Sequence, residues 1–383
     1  MIKLTRQLAL ACIFALAAVG CSDDEDVLPP APLPDFDPTV QLEEVWDTSV
    51  GDGLDGNFLM LQPAVTEQAL YAASHDGEVL KLALSSGKEL WEQELDFSIT
   101  GGVGAGYGLV VLGSSNGEAI ALSEKDGAVL WKVQLSGQVL ATPAVGATRV
   151  IVQTMDGRLH ALNPETGAVL WVYDTAIPVL TLRGSSHPVI LGNVTLAGFS
   201  NGKLVALDTE SGFVGWEKPV SEPKGRSELE RLNDLDGRFW VTRNIVYATT
   251  YQGNVVAIDI SSGRILWARE MSSFAGVSEF LGQVAIVDDE SNIYVLDAVN
   301  GSENWKQDKL RGRNLTAPTA WDRFIIVGDF EGYLHWLNYR TGEFVARVKV
   351  DGDGLWAPPV VKNDMVFVQG NSGELAAYKV ITK

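Results

Sequence analysis

The sequence predicts an all-β protein: an eight-bladed β-propeller of four-stranded antiparallel blades, closed by its N-terminal strand. Three observations predict it. A repeat of about forty residues occurs in seven copies, each copy sets Gly-centred turns between short apolar runs, and an eighth copy is split between the two ends of the chain. The copies begin DGEVLKLALSSGKELW at Asp76, NGEAIALSEKDGAVLW at Asn116, DGRLHALNPETGAVLW at Asp156 and NGKLVALDTESGFVGW at Asn201. They continue QGNVVAIDISSGRILW at Gln252, ESNIYVLDAVNGSENW at Glu290 and EGYLHWLNYRTGEFVA at Glu331. Six end in Trp, at 91, 131, 171, 216, 267 and 305, and the seventh has Ala346 in that slot.

The third copy shows how a unit is built. VIVQT at 150–154 is a β-branched run, Asp156-Gly157 a tight turn, RLHAL at 158–162 a second run, NPETG another turn, and AVLW the start of a third run. Asp-Gly and Asn-Gly between such runs signal hairpins, because the turn needs a positive φ that Gly adopts without steric cost. ATPAV at 141–145 offers a fourth strand, which makes the unit one blade of a propeller. A helical repeat of similar period would show longer stretches with a 3.6-residue rhythm, and these runs are too short and too rich in Val and Ile.

The eighth copy starts at Ser372-Gly373 with ELAAY and has no following Trp segment, whereas LEEVW at 42–46 reads like GKELW and GAVLW. The first strand is therefore expected to complete the last blade, with residues 40–383 forming the propeller, at about 43 residues per blade. Closure in this manner leaves no open sheet edge between first and last blades.

Residues 1–20 read as a secretory signal: Lys3 and Arg6, then LALACIFALAAV, an apolar run too short for a stable bilayer anchor. The ending AAVGC resembles a bacterial lipobox, with Ala18 where Leu is commoner. That resemblance implies cleavage before Cys21 and its lipidation, and Ser22 implies sorting to the outer membrane. Residues 22–39, SDDEDVLPPAPLPDFDPT, carry five prolines and six acids, and are expected to form an extended spacer. With Cys12 lost and Cys21 lipidated, the mature chain would hold no thiol for a disulfide, a metal or nucleophilic catalysis. The net charge of −20 becomes −22 without Lys3 and Arg6, which argues against nucleic acid as a partner.

Little in the chain suggests catalysis. His160 and His335 occupy the same repeat slot in the third and seventh blades, too far apart to share a metal, and are expected to pack within blades. Neither the Asp-rich stretch around Gly237 nor that around Gly354 has the acids of a calcium loop, and no P-loop or HExxH occurs. The repeated Trp residues are expected to pack between blades, each burying on the order of 200 Å².

The repeat core, ALNPETGAVLW at 161–171 and ALDTESGFVGW at 206–216, resembles the tryptophan-docking motif of propellers related to quinoprotein alcohol dehydrogenases. Those enzymes carry a vicinal Cys pair over the quinone and a calcium site; without a mature Cys pair here, no cofactor, metal or catalytic residue is expected. The chain as a whole is similar to the BamB family of outer-membrane protein assembly factors, in its lipobox, acidic tether, eight repeats and two non-repeat stretches.

Those two stretches also emerge from spacing alone. Successive Trp slots are 40, 40, 45, 51, 38 and 41 residues apart, so the extra length lies after Trp171 and after Trp216. Added length in a repeat protein maps to loops, and loops carry binding. The first holds VLTLRGSSHP (179–188), the second SEPKGRSELERLNDLDGRF (221–239). The BamB resemblance implies that Leu180, Leu182 and Arg183, with Asp234 and Asp236, dock the periplasmic domain of a BamA-like barrel protein. On that reading Leu180 and Leu182 would share one face of an extended loop and Arg183 would offer a bidentate fork. The two acids would meet a cation on the partner. Exposed blade edges further suggest pairing with unfolded outer-membrane protein clients, and another envelope protein or a glycan is the alternative partner.

Overall fold

The computed structural model describes residues 29–184 and 186–381. Among the described residues, thirty-two strands form eight four-stranded antiparallel sheets, each with its inner strand first and its outer strand last in the chain, as the repeat predicts. The eighth sheet is the exception: its outer strand is Gln41–Ser49, paired antiparallel with Glu374–Ile381 from Gln41 opposite Ile381 to Ser49 opposite Glu374. The signal segment and Cys21 lie outside the described residues.

The repeat residues define how neighbouring blades lock. Just before each repeat Trp the outer strand carries a bulge; in blade 3, Ala161 faces Trp171 and Leu162 faces Val169, so Leu170 is the extra residue. The indole then reaches the next blade, where its N–H donates to a carbonyl in the turn before the outer strand. Trp46 donates to Leu84, Trp131 to Pro164 and Trp216 to Ile260, at 2.7–2.8 Å. The Gly of that same turn lies flat on the ring. Gly212 has φ +73°, and a Cβ there would sit 2.7 Å from Trp171. The second Gly of each repeat therefore answers two demands, a left-handed turn and contact with an indole.

The slot at Ala346 breaks the pattern for a structural reason. It faces blade 8, where the two chain ends take the place of the turn that would receive an indole. Here the cross-strand pair is inverted: Trp336 sits opposite Ala346, where blades 2–5 have Ala opposite Trp. Trp336 is fully buried and packs edge-on against Tyr378 of blade 8. Volume is conserved while the indole changes strand.

His160 and His335 pack within their blades, as expected. His160 is bonded to Ser136 at 3.1 Å and His335 to Asp329 at 3.0 Å.

Part of the expected spacer belongs to the propeller. Ala31, Leu33, Pro34 and Phe36 are half-buried, and Phe36 stacks on Phe344 of blade 7 at 5.6 Å. Proline and acid content suggested a solvated segment throughout. The apolar residues interleaved among them instead find an aromatic surface, and guanidinium groups satisfy their carbonyls.

Candidate functional site

Both long loops connect the outer strand of one blade to the inner strand of the next, so they emerge on the same face of the ring. There they meet at a cavity of about 400 Å³. Leu182, Arg183, Gly184 and His187 line it from the first loop, and Asp236 and Arg238 from the second. Phe58, Met60, Phe274 and Trp356, from other connections on this face, make its walls largely apolar.

The predicted residues are brought together, but in roles that differ from the expectation. Leu180 is exposed (42%) beside the fully exposed Val179, and Arg183 is exposed at the mouth. Leu182 turns into the cavity wall. Asp234 and Asp236 are buried, at 1% and 5% exposure. Asp234 Oδ1 accepts the Leu182 N–H at 3.2 Å and so staples the second loop to the first. Asp236 packs so tightly beneath Gly184 that a Cβ at Gly184 would lie 2.8 Å from Oδ2. The acids are thus not surface groups waiting for a cation. Their segment is drawn inward because Leu235, between them, is fully buried in the core shared by blades 4 and 5. In the same stretch Glu222–Arg231 is the exposed, charged part.

Burial dominates the electrostatics. It pushes the Asp234 carboxyl up to about 6, partly countered by the Leu182 N–H, and pushes Asp236 well above the usual carboxylate range, with Asp234 adding to the effect. Neither Asp236 oxygen has a hydrogen-bond partner among the described residues. Burial, then the Arg238 charge, lowers His187 to about 4, so it is neutral at physiological pH; burial lowers Arg238 to about 10. Arg238 lies over the Trp240 ring at 4.9 Å. Sequence reasoning missed His187 and Arg238, although both fall in the long loops. A lone His or Arg there carries no spacing signal, and only the fold shows that they face the same space as Leu182.

An eight-bladed ring bearing a loop-built, largely apolar cavity on one face defines a β-propeller with a candidate binding site. The family model described as "Outer membrane protein assembly factor BamB" matches residues 75–307. A protein of that name from Pseudomonas aeruginosa is 51% identical, over 96% of this chain and 97% of its own length. The Escherichia coli protein of that name is 36% identical, over 92% of this chain and 94% of its own. The chain belongs to the BamB family. The crystal structure of BamB from Moraxella catarrhalis superposes with a TM-score of 0.82 at 28% identity, covering 88% of this chain and all of that one. A quinohemoprotein alcohol dehydrogenase from Pseudomonas putida reaches a TM-score of 0.73 at 13% identity, covering 90% of this chain and 77% of that one, a likeness of fold alone.

Proposed function

We propose that this chain is a non-catalytic, lipid-anchored scaffold of the outer-membrane β-barrel assembly machinery. On this reading residues 1–20 direct export, Cys21 carries the lipid on the periplasmic face of the outer membrane, and the propeller assists folding and insertion of barrel proteins. The mouth built by the two long loops docks the periplasmic domain of a BamA-like partner. The carrying observation is the Asp234–Leu182 staple. It fixes the backbone at Leu182, next to Arg183, before any partner arrives, which lowers the ordering cost of binding. Leu180 and Leu182 supply apolar anchors, each contributing about 1.5–3 kcal/mol if fully buried, and Arg183 a fork for a carboxylate or carbonyls.

Affinity purification from native envelopes tests this. Wild type is expected to recover a large barrel protein, and Leu182→Ala and Arg183→Glu to lose most of it. Equal recovery by all three would sink the site.

A second contact, with unfolded clients, is favoured by the outer strands. Val129–Leu130, Val169–Leu170 and Ile265–Leu266 leave successive apolar side chains 41–51% exposed on edge strands, a surface suited to an added extended segment.

A further inference from the structure

Seven of the eight seams between blades carry the indole latch described above; the seam between blades 7 and 8, at Ala346, does not. Residues 31–40 cross the outer strand of blade 7, Phe344–Lys349, from the core shared with blade 6, where Phe36 packs, to the core shared with blade 8 at that seam, where Val40 packs. Ala31 donates its N–H to Arg311 O (2.9 Å) and accepts from Arg313 Nη1 (3.1 Å). Pro34 O accepts from Arg347 Nη1 at 3.1 Å. The Arg347 guanidinium lies between the rings of Phe36 and Tyr333, 5.2 and 5.7 Å from their centroids. Thr39 and Val40 both donate their N–H groups to Val345 O, at 3.0 and 3.1 Å, immediately before the closing strand begins.

Two further features mark this as a built site. Arg313 is only 3% exposed and is held in place by Asp329 at 2.8 Å and by Glu331, so its Nη1 points to Ala31 without rearrangement. Phe344 and Val345 are 8% and 7% exposed, whereas the equivalent Val169 and Leu170 of blade 3 are each 45% exposed. Pro32, Pro34 and Pro38 have no N–H, so the segment cannot extend the sheet as another strand. It is instead gripped through its carbonyls and apolar faces, as proline-rich segments are by aromatic grooves.

We propose that the outer edge of blade 7 is a binding cleft for an extended proline-rich segment, that its occupant is residues 31–40 of this same chain, and that the docked strap replaces the missing indole latch. The closing strand Gln41–Ser49 begins where the strap ends. A strand at a chain end peels from its sheet unless its entry is fixed, and the strap fixes it.

Hydrogen exchange of the full-length protein tests this. In wild type, the amides of Ala31, Thr39 and Val40, which donate to Arg311 and Val345, are expected to exchange more slowly than those of an unstructured peptide. In Phe36→Ala/Arg347→Ala the strap loses that protection, and Leu42–Thr48 exchange at least roughly tenfold faster. Strand Lys203–Asp208 of blade 4 is unchanged, which reports that the rest of the ring is intact. Should the double variant fail to fold, Arg347→Lys is read in the same way; it keeps the charge but loses the planar stack and the fork. Free exchange of the strap in wild type would overturn the proposal, as would release of the strap with no change at Leu42–Thr48.

Discussion

Asp234 and Asp236 show how a buried pair of side chains can shape the proposed docking surface from beneath. Both are hidden beneath the first long loop, and burial disfavours their charged forms. A carboxyl whose folded pKa is raised penalises the native state once it ionises, so stability is lost as pH rises from about 4, the unfolded value, through about 6 for Asp234. Asp234→Asn keeps an acceptor for the Leu182 N–H and removes the charge. It is expected to stabilise the protein by about 1–2 kcal/mol at pH 7.5, allowing for relaxation around the buried group, and by nearly nothing at pH 4. Urea midpoints at the two pH values measure this, and a gap that widens toward acid would contradict it. The acids were legible in the chain as residues of interest, but not their burial. An Asp-x-Asp reads as a solvated turn until Leu235 is known to enter the core and carry its neighbours with it.

Among the elements, the turn before each outer strand was the most legible and also the most informative in three dimensions. Gly at a tight turn is explained locally by its φ, yet the full reason that Gly212 is Gly lies in the preceding blade, where Trp171 occupies the space a Cβ would need. Gly212→Ala meets both a positive φ and a ring face, and is expected to destabilise by roughly 2–4 kcal/mol. Guanidinium denaturation measures it. Ala at Gly192, which also has positive φ but has open space around its Cβ position, should cost clearly less. Equal costs would show that the indole contact contributes nothing. The segment at 31–39 departs from its composition at this same scale. Composition describes what a segment can do alone, and five prolines among acids look solvated; the segment and the two arginines that receive it, Arg313 and Arg347, are some three hundred residues apart in sequence.

For the whole molecule, periodicity made the ring readable: eight units, a split last blade and two lengthened intervals all follow from spacing. What spacing could not show is that the two intervals converge. They leave blades 3 and 4 at separate points, and only the common direction of outer-to-inner connections places Leu182 and Asp236 around one cavity. The ring supplies a stiff frame, the staple presets the first loop, and the proposed partner meets Leu180, Leu182 and Arg183 at the mouth.

The dissociation constant of the purified full-length protein for the periplasmic part of a BamA-like partner tests that arrangement most directly. Asp234→Asn, which keeps the staple, is expected to bind within about threefold of wild type. Asp234→Ala, which breaks the staple, and Arg183→Glu, which reverses the fork, are each expected to weaken binding by roughly tenfold or more. Loss of binding in Asp234→Asn equal to that in Asp234→Ala would mean that the carboxylate itself meets the partner, and wild-type affinity in Arg183→Glu would place the docking surface elsewhere on the ring.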